Sequence, residues 1–233
     1  MNVKKQHAVC LLSGGLDSAT ALYAARAEGY ECIALTLQYG QLHVREIESA
    51  RTIAARLGLR HFTIPVELPW KGSALLDPSI QMPAGRSERD MQKEIPVTYV
   101  PARNSIFLTL AASCAEACGA EVIFIGANAL DYSGYPDCRP EYFEAAEKMI
   151  TLGTKAGVEG KGFAIKAPLL KMSKKEIVLL GAKLGVPFEK TWSCYQGKDR
   201  PCGECDSCIL RAKGFREAGT ADPLFNHEIS AHR

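Results

Sequence analysis

The sequence predicts an α/β protein: a Rossmann-like, doubly wound parallel sheet over residues 1–185, followed by a small cysteine-rich subdomain over residues 186–233. Three observations carry this reading. Short apolar runs of strand length alternate with longer segments of helical period. A serine–glycine turn joins the first apolar run to the first helix. Of nine cysteines, four are gathered in the last fifth of the chain.

The elements follow in order. His7–Leu12 is apolar and reads as the first strand, ending at Ser13-Gly14-Gly15-Leu16-Asp17-Ser18. A helix then runs through Ala19, Thr20, Ala21, Leu22 and Ala25. Glu31–Leu37 is a second buried strand. Residues 44–57 place Ile47, Ala50, Ile53, Ala54 and Leu57 at helical spacing, with Gly58 at the stop. His61–Val66 reads as a third strand, with His61 on its surface. Residues 66–100 carry Pro69, Pro78, Pro83 and Pro96 and read as a long irregular insertion, a candidate lid over a substrate. Asn104–Cys118 is an apolar helix in which Cys114 and Cys118 pack, and Glu121–Gly126 is a strand. Lys174–Leu184 is an amphipathic helix capped by Ser173. Repeated β–α units imply a parallel sheet, and ligands of such sheets lie beyond the carboxyl ends of the strands. Ser13, Gln38-Tyr39 and Gly126-Ala127-Asn128 converge there.

Composition narrows the class. The chain has 233 residues, 47% hydrophobic and 23% charged, which suits one sizeable globular α/β domain. A net charge of +2 shows no electrostatic signature of a nucleic-acid binder, and no apolar run approaches a membrane span. The start Met1-Asn2-Val3-Lys4-Lys5 leads straight into the first strand without a signal-like region. A cytoplasmic location is therefore expected. An odd number of cysteines in such a chain argues against a disulfide framework.

The turn after the first strand points several N–H groups and a helix N-terminus at one spot, which suits a phosphate. Gly14 and Gly15 permit unusual backbone angles, the hydroxyls of Ser13 and Ser18 add donors, and Asp17 suits a magnesium ion carried by phosphates. Neither G-x-x-x-x-G-K-[ST] nor G-x-G-x-x-G occurs. S-G-G-x-D-S instead resembles the PP-loop of the ATP pyrophosphatases, whose fold is of the adenine nucleotide alpha hydrolase type. That resemblance implies ATP cleavage between the α- and β-phosphates, with Leu12 to Leu22 (Leu12, Ser13, Gly14, Gly15, Leu16, Asp17, Ser18, Ala19, Thr20, Ala21 and Leu22) as the nucleotide-binding run.

Cys194, Cys202, Cys205 and Cys208 form C-x7-C-x2-C-x2-C. Four thiolates suit tetrahedral zinc and leave no open position, so the ion would be structural. An iron–sulfur cluster is the rival, but Arg211-Ala212 stands where a ferredoxin run needs a further cysteine. Over residues 183–233, eight Lys and Arg meet seven Asp and Glu, so this tail has no basic stripe for nucleic acid.

Three further stretches look chemical: Gln38–Gln41, Tyr99–Asn104 with Arg103 as a phosphate or carboxylate contact, and Gly126–Arg139. Singly, each also reads as an ordinary polar loop; together, beside a phosphate loop, they read as a site. SGGLDS, YVPARN, DYSGYPDCR and SCYQGKDRPCGECDSCILR, in that order, resemble the 7-cyano-7-deazaguanine synthase family of queuosine biosynthesis across nearly the whole chain. The resemblance implies a ligase making a nitrile from 7-carboxy-7-deazaguanine, ammonia and ATP, with zinc, often as a homodimer. Ser13, Asp17, Ser18 and Arg103 would be catalytic. Asp131, Tyr132, Tyr135, Asp137 and Arg139 would hold the substrate, the tyrosines by stacking. Three departures stand out. Ala102 replaces a glycine common in the family, Leu42 replaces an arginine beside His43 and Glu46, and Asn128–Tyr132 differs from the usual CETDF. His43 is a candidate site residue, and Cys138 reads as a packing thiol rather than a nucleophile. Two rivals remain open: another adenylating PP-loop enzyme, such as a tRNA thiolase or lysidine synthetase, and a non-catalytic nucleotide-binding zinc protein.

Overall fold

The computed structural model describes residues 6–41, 44–91, 93–130 and 135–225. Five strands, β1 (His7–Leu11), β2 (Glu31–Gln38), β3 (Arg60–Pro65), β4 (Val122–Phe124) and β5 (Ala164–Lys166), form one sheet in the order β3-β2-β1-β4-β5. Every pairing is parallel. The chain winds outward from β1 to β3, then returns to the other side of β1 to place β4 and β5. The order therefore reverses between β1 and β4, which opens the ligand crevice of such sheets.

The period-2 alternation of the central strands separates two cores. Ala8, Cys10, Cys32, Ala34, Val122 and Phe124 face one layer, while Val9, Leu11, Ile33, Leu35 and Ile123 face the other. The first layer comprises α1 (Leu16–Ala27), α2 (Arg45–Arg56), and, after a short α3 (Glu88–Met91), two helices from the C-terminal half. The second layer is α4 (Arg103–Cys118) and α5 (Pro140–Leu152), and it buries Leu108, Ala111, Ala115, Phe143 and Ile150. A strand buried on both faces is apolar at nearly every position, which is why β1, β2 and β4 read as near-continuous apolar runs, with the buried Thr36 of β2 donating to the Leu12 carbonyl at 2.6 Å. His61 is not a free surface residue: its Nε2 lies 2.8 Å from Thr36 Oγ1, and burial lowers its pKa.

Beyond a one-turn α6 (Lys155–Val158), α7 (Lys174–Leu184) and α8 (Asp206–Glu217) pack together on the first face, with Ile177, Val178 and Phe215 in that core. Ser173 caps α7 in a reciprocal capping box with Glu176. The expected insertion at 66–100 has little regular structure, yet Leu68, Leu75, Leu76 and Val100 pack with Tyr39 in a small core of their own. It is tied to the tail through Gly85 N–H donating to the Glu204 carbonyl at 2.9 Å and through an ion pair between Arg86 and Asp206.

Arg211 organises the tail. It is 2% exposed and meets Asp222 in a two-point contact, Nε to Oδ2 at 2.6 Å and Nη2 to Oδ1 at 2.9 Å. Its remaining donors reach Thr191 Oγ1 at 2.8 Å, Ser193 Oγ at 3.3 Å and the Phe188 carbonyl at 3.1 Å. Removing one member of such a buried pair strands the other charge. Arg211→Met is expected to cost about 3–5 kcal/mol in urea denaturation, and Arg211→Met with Asp222→Leu to recover part of that loss.

Candidate active site

The phosphate loop is held by its backbone. Gly14 has φ +91°, and a Cβ there would lie 2.1 Å from the Glu46 carbonyl of α2. At Gly126, just past β4, a Cβ would lie 2.7 Å from Ser18 N. Glycine is thus required at Gly14 by the approach of α2 and at Gly126 by the start of α1, rather than to clear a path for the ligand. Trp192 N–H donates to the Gly14 carbonyl at 2.9 Å and closes the third side. Within the loop Ser13 and Ser18 hydroxyls are 2.9 Å apart, and Ser18 Oγ accepts from Ser13 N–H at 3.2 Å. Gly15 is the N-cap of α1 and brings no side chain to the first-turn N–H groups, so these are available to an anion.

A cavity of about 220 Å³ opens from this loop along the carboxyl ends of the strands. It is lined by Leu12, Ser13, Gly15, Leu16, Asp17 and Ser18 on one side and by Tyr39, Glu46, Arg103, Phe107, Tyr135 and Cys138 on the other. Ser193, Tyr195, Ser207, Leu210 and Arg211 complete the wall, so the tail contributes directly to the site. Ala19, Ala21 and Leu22 instead lie in the core, and Thr20 Oγ1 donates to the Leu16 carbonyl at 2.8 Å. These four stand behind the site, buried around α1, with Thr20 close to Gly181 of a later helix.

Arg103 opens α4 beside the Tyr39 and Phe107 rings, at 5.8 and 6.0 Å from their centroids, and its Nη1 donates to Tyr39 Oη at 3.4 Å. It follows Ala102, which is left-handed at φ 53° and ψ 24°. Asp137 accepts from Asn104 N–H at 3.0 Å and so caps α4, whose own N-cap Ala102 has no side chain to do so. Buried there, Asp137 does not line the cavity. Arg139 is exposed and pairs with Glu141 on the surface. Tyr135 does reach the cavity, with its hydroxyl 2.9 Å from Thr98 Oγ1. Asp131, Tyr132, Leu42 and His43 lie outside the described residues.

Burial pushes the Cys138 thiol up to about 11, with the Asp137 charge adding to it. Such a thiol is protonated at neutral pH and is a weak nucleophile. Burial also raises the Glu46 carboxyl to about 7, against the pull of Arg103. One residue of the site had no signal as such in the sequence: Lys174, the first residue of α7, whose Nζ sits 2.8 and 3.0 Å from the two Asp17 carboxylate oxygens.

The four tail cysteines bring their sulfurs within 4.8 Å of one another. Tetrahedral zinc with bonds of about 2.3 Å needs sulfurs about 3.8 Å apart, and Cys202 and Cys208 stand at 3.9 Å. Backbone N–H groups of Gln196 and Cys202 point at Cys194 Sγ, and those of Glu204 and Cys205 at Cys202 Sγ, at 3.3–3.4 Å. Donors aimed at sulfur stabilise thiolate, so the set fits a zinc ion. With all four positions filled by protein, the ion would clamp the tail rather than activate a substrate.

Residues 7–219 match the family described as queuosine biosynthesis protein QueC. A 7-cyano-7-deazaguanine synthase of Trichodesmium erythraeum (strain IMS101) is 54% identical over 93% of this chain and 99% of that protein. One of Thermoplasma acidophilum is 54% identical over 95% of this chain and 92% of its own length. Among solved structures, an NMN synthetase of Francisella tularensis superposes with a TM-score of 0.50 at 18% identity, covering 95% of this chain and 80% of that one, a likeness of fold.

A left-handed alanine costs about 1 kcal/mol that glycine does not. Ala102→Gly is expected to raise stability by about 0.5–1 kcal/mol in chemical denaturation, with the α4 start unchanged.

Proposed function

The chain belongs to the queuosine biosynthesis protein QueC family, and from that premise we propose that it is a 7-cyano-7-deazaguanine synthase, converting 7-carboxy-7-deazaguanine to the nitrile with ammonia and ATP. The observation that carries this reading is the continuity of one cavity from the Ser13–Ser18 loop to the Arg103, Tyr135 and Cys138 side. A triphosphate on the loop and a flat heteroaromatic acid further along would meet there.

Turning a carboxylate into a nitrile removes two oxygens, and each must leave as part of a good leaving group. A carboxylate oxygen attacks the α-phosphorus of ATP and releases pyrophosphate. Ammonia then adds to the acyl carbon, and AMP departs with the first oxygen, leaving the amide. The amide oxygen attacks a second ATP in the same way. Loss of AMP and of the remaining protons on nitrogen closes the C≡N bond. Pyrophosphate would rest against Ser13, Ser18 and the first-turn N–H groups of α1, where charge stabilisation requires no reorganisation. Arg103, held on Tyr39, would fix the acid or its acyl phosphate. Glu46, poised near neutrality, suits acceptance of the proton that ammonium must lose. Asp17 faces the loop end of the cavity and fits magnesium carried in on phosphates, which would neutralise charge on the departing pyrophosphate. Tyr135 lines the cavity where it would stack on the purine-like substrate; Asp131 and Tyr132 belong to the same proposed binding loop.

Ammonia as nitrogen donor, a small-molecule acceptor without nucleic acid, a homodimer and a cytoplasmic location all belong to this reading. The nearly balanced charge of residues 183–233 supports the absence of nucleic acid. Among the described residues, no helix is long and apolar enough to cross a membrane.

Incubation with 7-carboxy-7-deazaguanine, ammonium and magnesium–ATP should yield the nitrile with two AMP per product, followed by mass spectrometry. Failure to form nitrile would overturn the reading. Cys138→Ser should retain turnover within about twofold, because the chemistry uses no thiol nucleophile.

A further inference from the structure

The geometry points to Lys174 as a further phosphate-binding residue of the ATP site, seated there by the helix that carries Cys208 of the cysteine tail. The inference rests on the ATP reading above and extends it to a coupling between tail and loop.

Lys174 is a lysine in a place that lysines avoid. Its side chain is only 7% exposed, yet its ammonium reaches the cavity wall and lies against both oxygens of Asp17. Burying an ammonium is costly unless it is paired, and here the partner belongs to the phosphate loop itself. An ammonium is a compact charge with three rotatable donors. It can therefore keep a bond to Asp17 while giving another to a phosphate oxygen above the loop. Asp17 balances the charge of Lys174; with a magnesium-bound triphosphate present, the carboxylate would hold the metal and the ammonium a phosphate oxygen.

Three features place this side chain, and none of them is a phosphate contact. Asn128 Nδ2 donates to the carbonyls of Leu169 and Met172 at 2.9 and 2.5 Å, which fixes the turn ahead of α7 to the end of β4. Ser173 N–H donates to Glu176 Oε2 at 2.7 Å, which fixes the helix start. Gly214, in the middle of α8, supplies the slot for the stem: a Cβ there would meet Lys174 Cγ at 2.5 Å, its Cβ at 3.1 Å and its carbonyl oxygen at 3.1 Å. These atoms belong to the root of the side chain and its backbone, so they cannot swing away. A mid-helix glycine is unfavourable to α8 itself; the slot for Lys174 accounts for it. Since α8 begins beside Cys205 and contains Cys208, a metal bound by the cysteines would hold the helix that seats Lys174 on Asp17.

The test is calorimetric titration of the zinc-loaded full chain with magnesium and the non-cleavable α,β-methylene analogue of ATP. Lys174→Met is expected to weaken binding about tenfold or more, Lys174→Arg to remain within about threefold of the unaltered chain, and Gly214→Ala to weaken it at least threefold while zinc stays at one per chain. Arginine restores charge without restoring shape, so its rescue separates phosphate binding from packing. Unchanged affinity in Lys174→Met, or a loss that arginine does not repair, overturns the assignment. Unchanged affinity in Gly214→Ala overturns the coupling. Should Lys174→Met fail to fold, the arginine and Gly214 variants decide: strong binding in the first and weak in the second sustains the inference, and any other pair of results overturns it. Absence of analogue binding by the unaltered chain overturns the ATP reading, and this inference with it.

Discussion

The chemistry of this fold depends on how closely three pieces of backbone approach residues 13–18. Helix α2 lies against Gly14, the end of β4 lies against Ser18 through Gly126, and the Trp192 amide bonds to the Gly14 carbonyl. Each contact excludes a side chain or uses a backbone donor, so the loop has little freedom left. A loop that must present N–H groups to a changing phosphate charge gains from being rigid before the ligand arrives. The same contacts explain why the crevice sits between β1 and β4: only there can a helix start, a strand end and the returning tail reach one another.

The tail is built into this arrangement. Arg211 gathers residues 188–193 and Asp222 around α8, and Asp206 at the head of that helix binds Arg86 from the 66–100 segment. Clustered cysteine thiols, a buried guanidinium and an ion pair from the 66–100 segment thus converge on one helix. Two observations separate scaffold from reagent here. The thiols are four, which closes the coordination of zinc, and Arg211 has its donors committed to protein acceptors. The tail's contribution to the cavity is therefore a wall, with Ser193, Tyr195 and Ser207 as the polar groups that a ligand would meet.

Much of this was legible in the sequence, for physical reasons. Strands buried on both faces are near-continuously apolar, so β1 and β2 announced a parallel sheet. The glycines of the loop, the four cysteines and the Ser173 cap each express a local rule. What escaped is long-range. Lys174 lies 157 residues from Asp17 and looks like any lysine in the first turn of a capped helix. A carboxylate in a loop serves a substrate or a helix end equally well in one dimension, and only the position of Asn104 N–H shows that Asp137 caps α4. Ala19 to Leu22 follow the loop in sequence, but they lie beyond the helix's first turn, where the sheet and α7 enclose them.

The start of α4 shows how a strained residue can be absorbed without disturbing the site. The turn before Arg103 is left-handed at residue 102, where glycine is free and alanine is strained. That strain persists because the surroundings over-determine the turn: Ala102 N–H donates to Tyr99 Oη at 3.0 Å, and Asp137 holds the next amide but one. Asn104 returns the favour by donating to the Asp137 carbonyl at 2.9 Å. Arg103 is thus aimed by contacts on both sides of it rather than by the identity of residue 102. An alanine there taxes stability by a small amount and leaves the guanidinium where the cavity needs it.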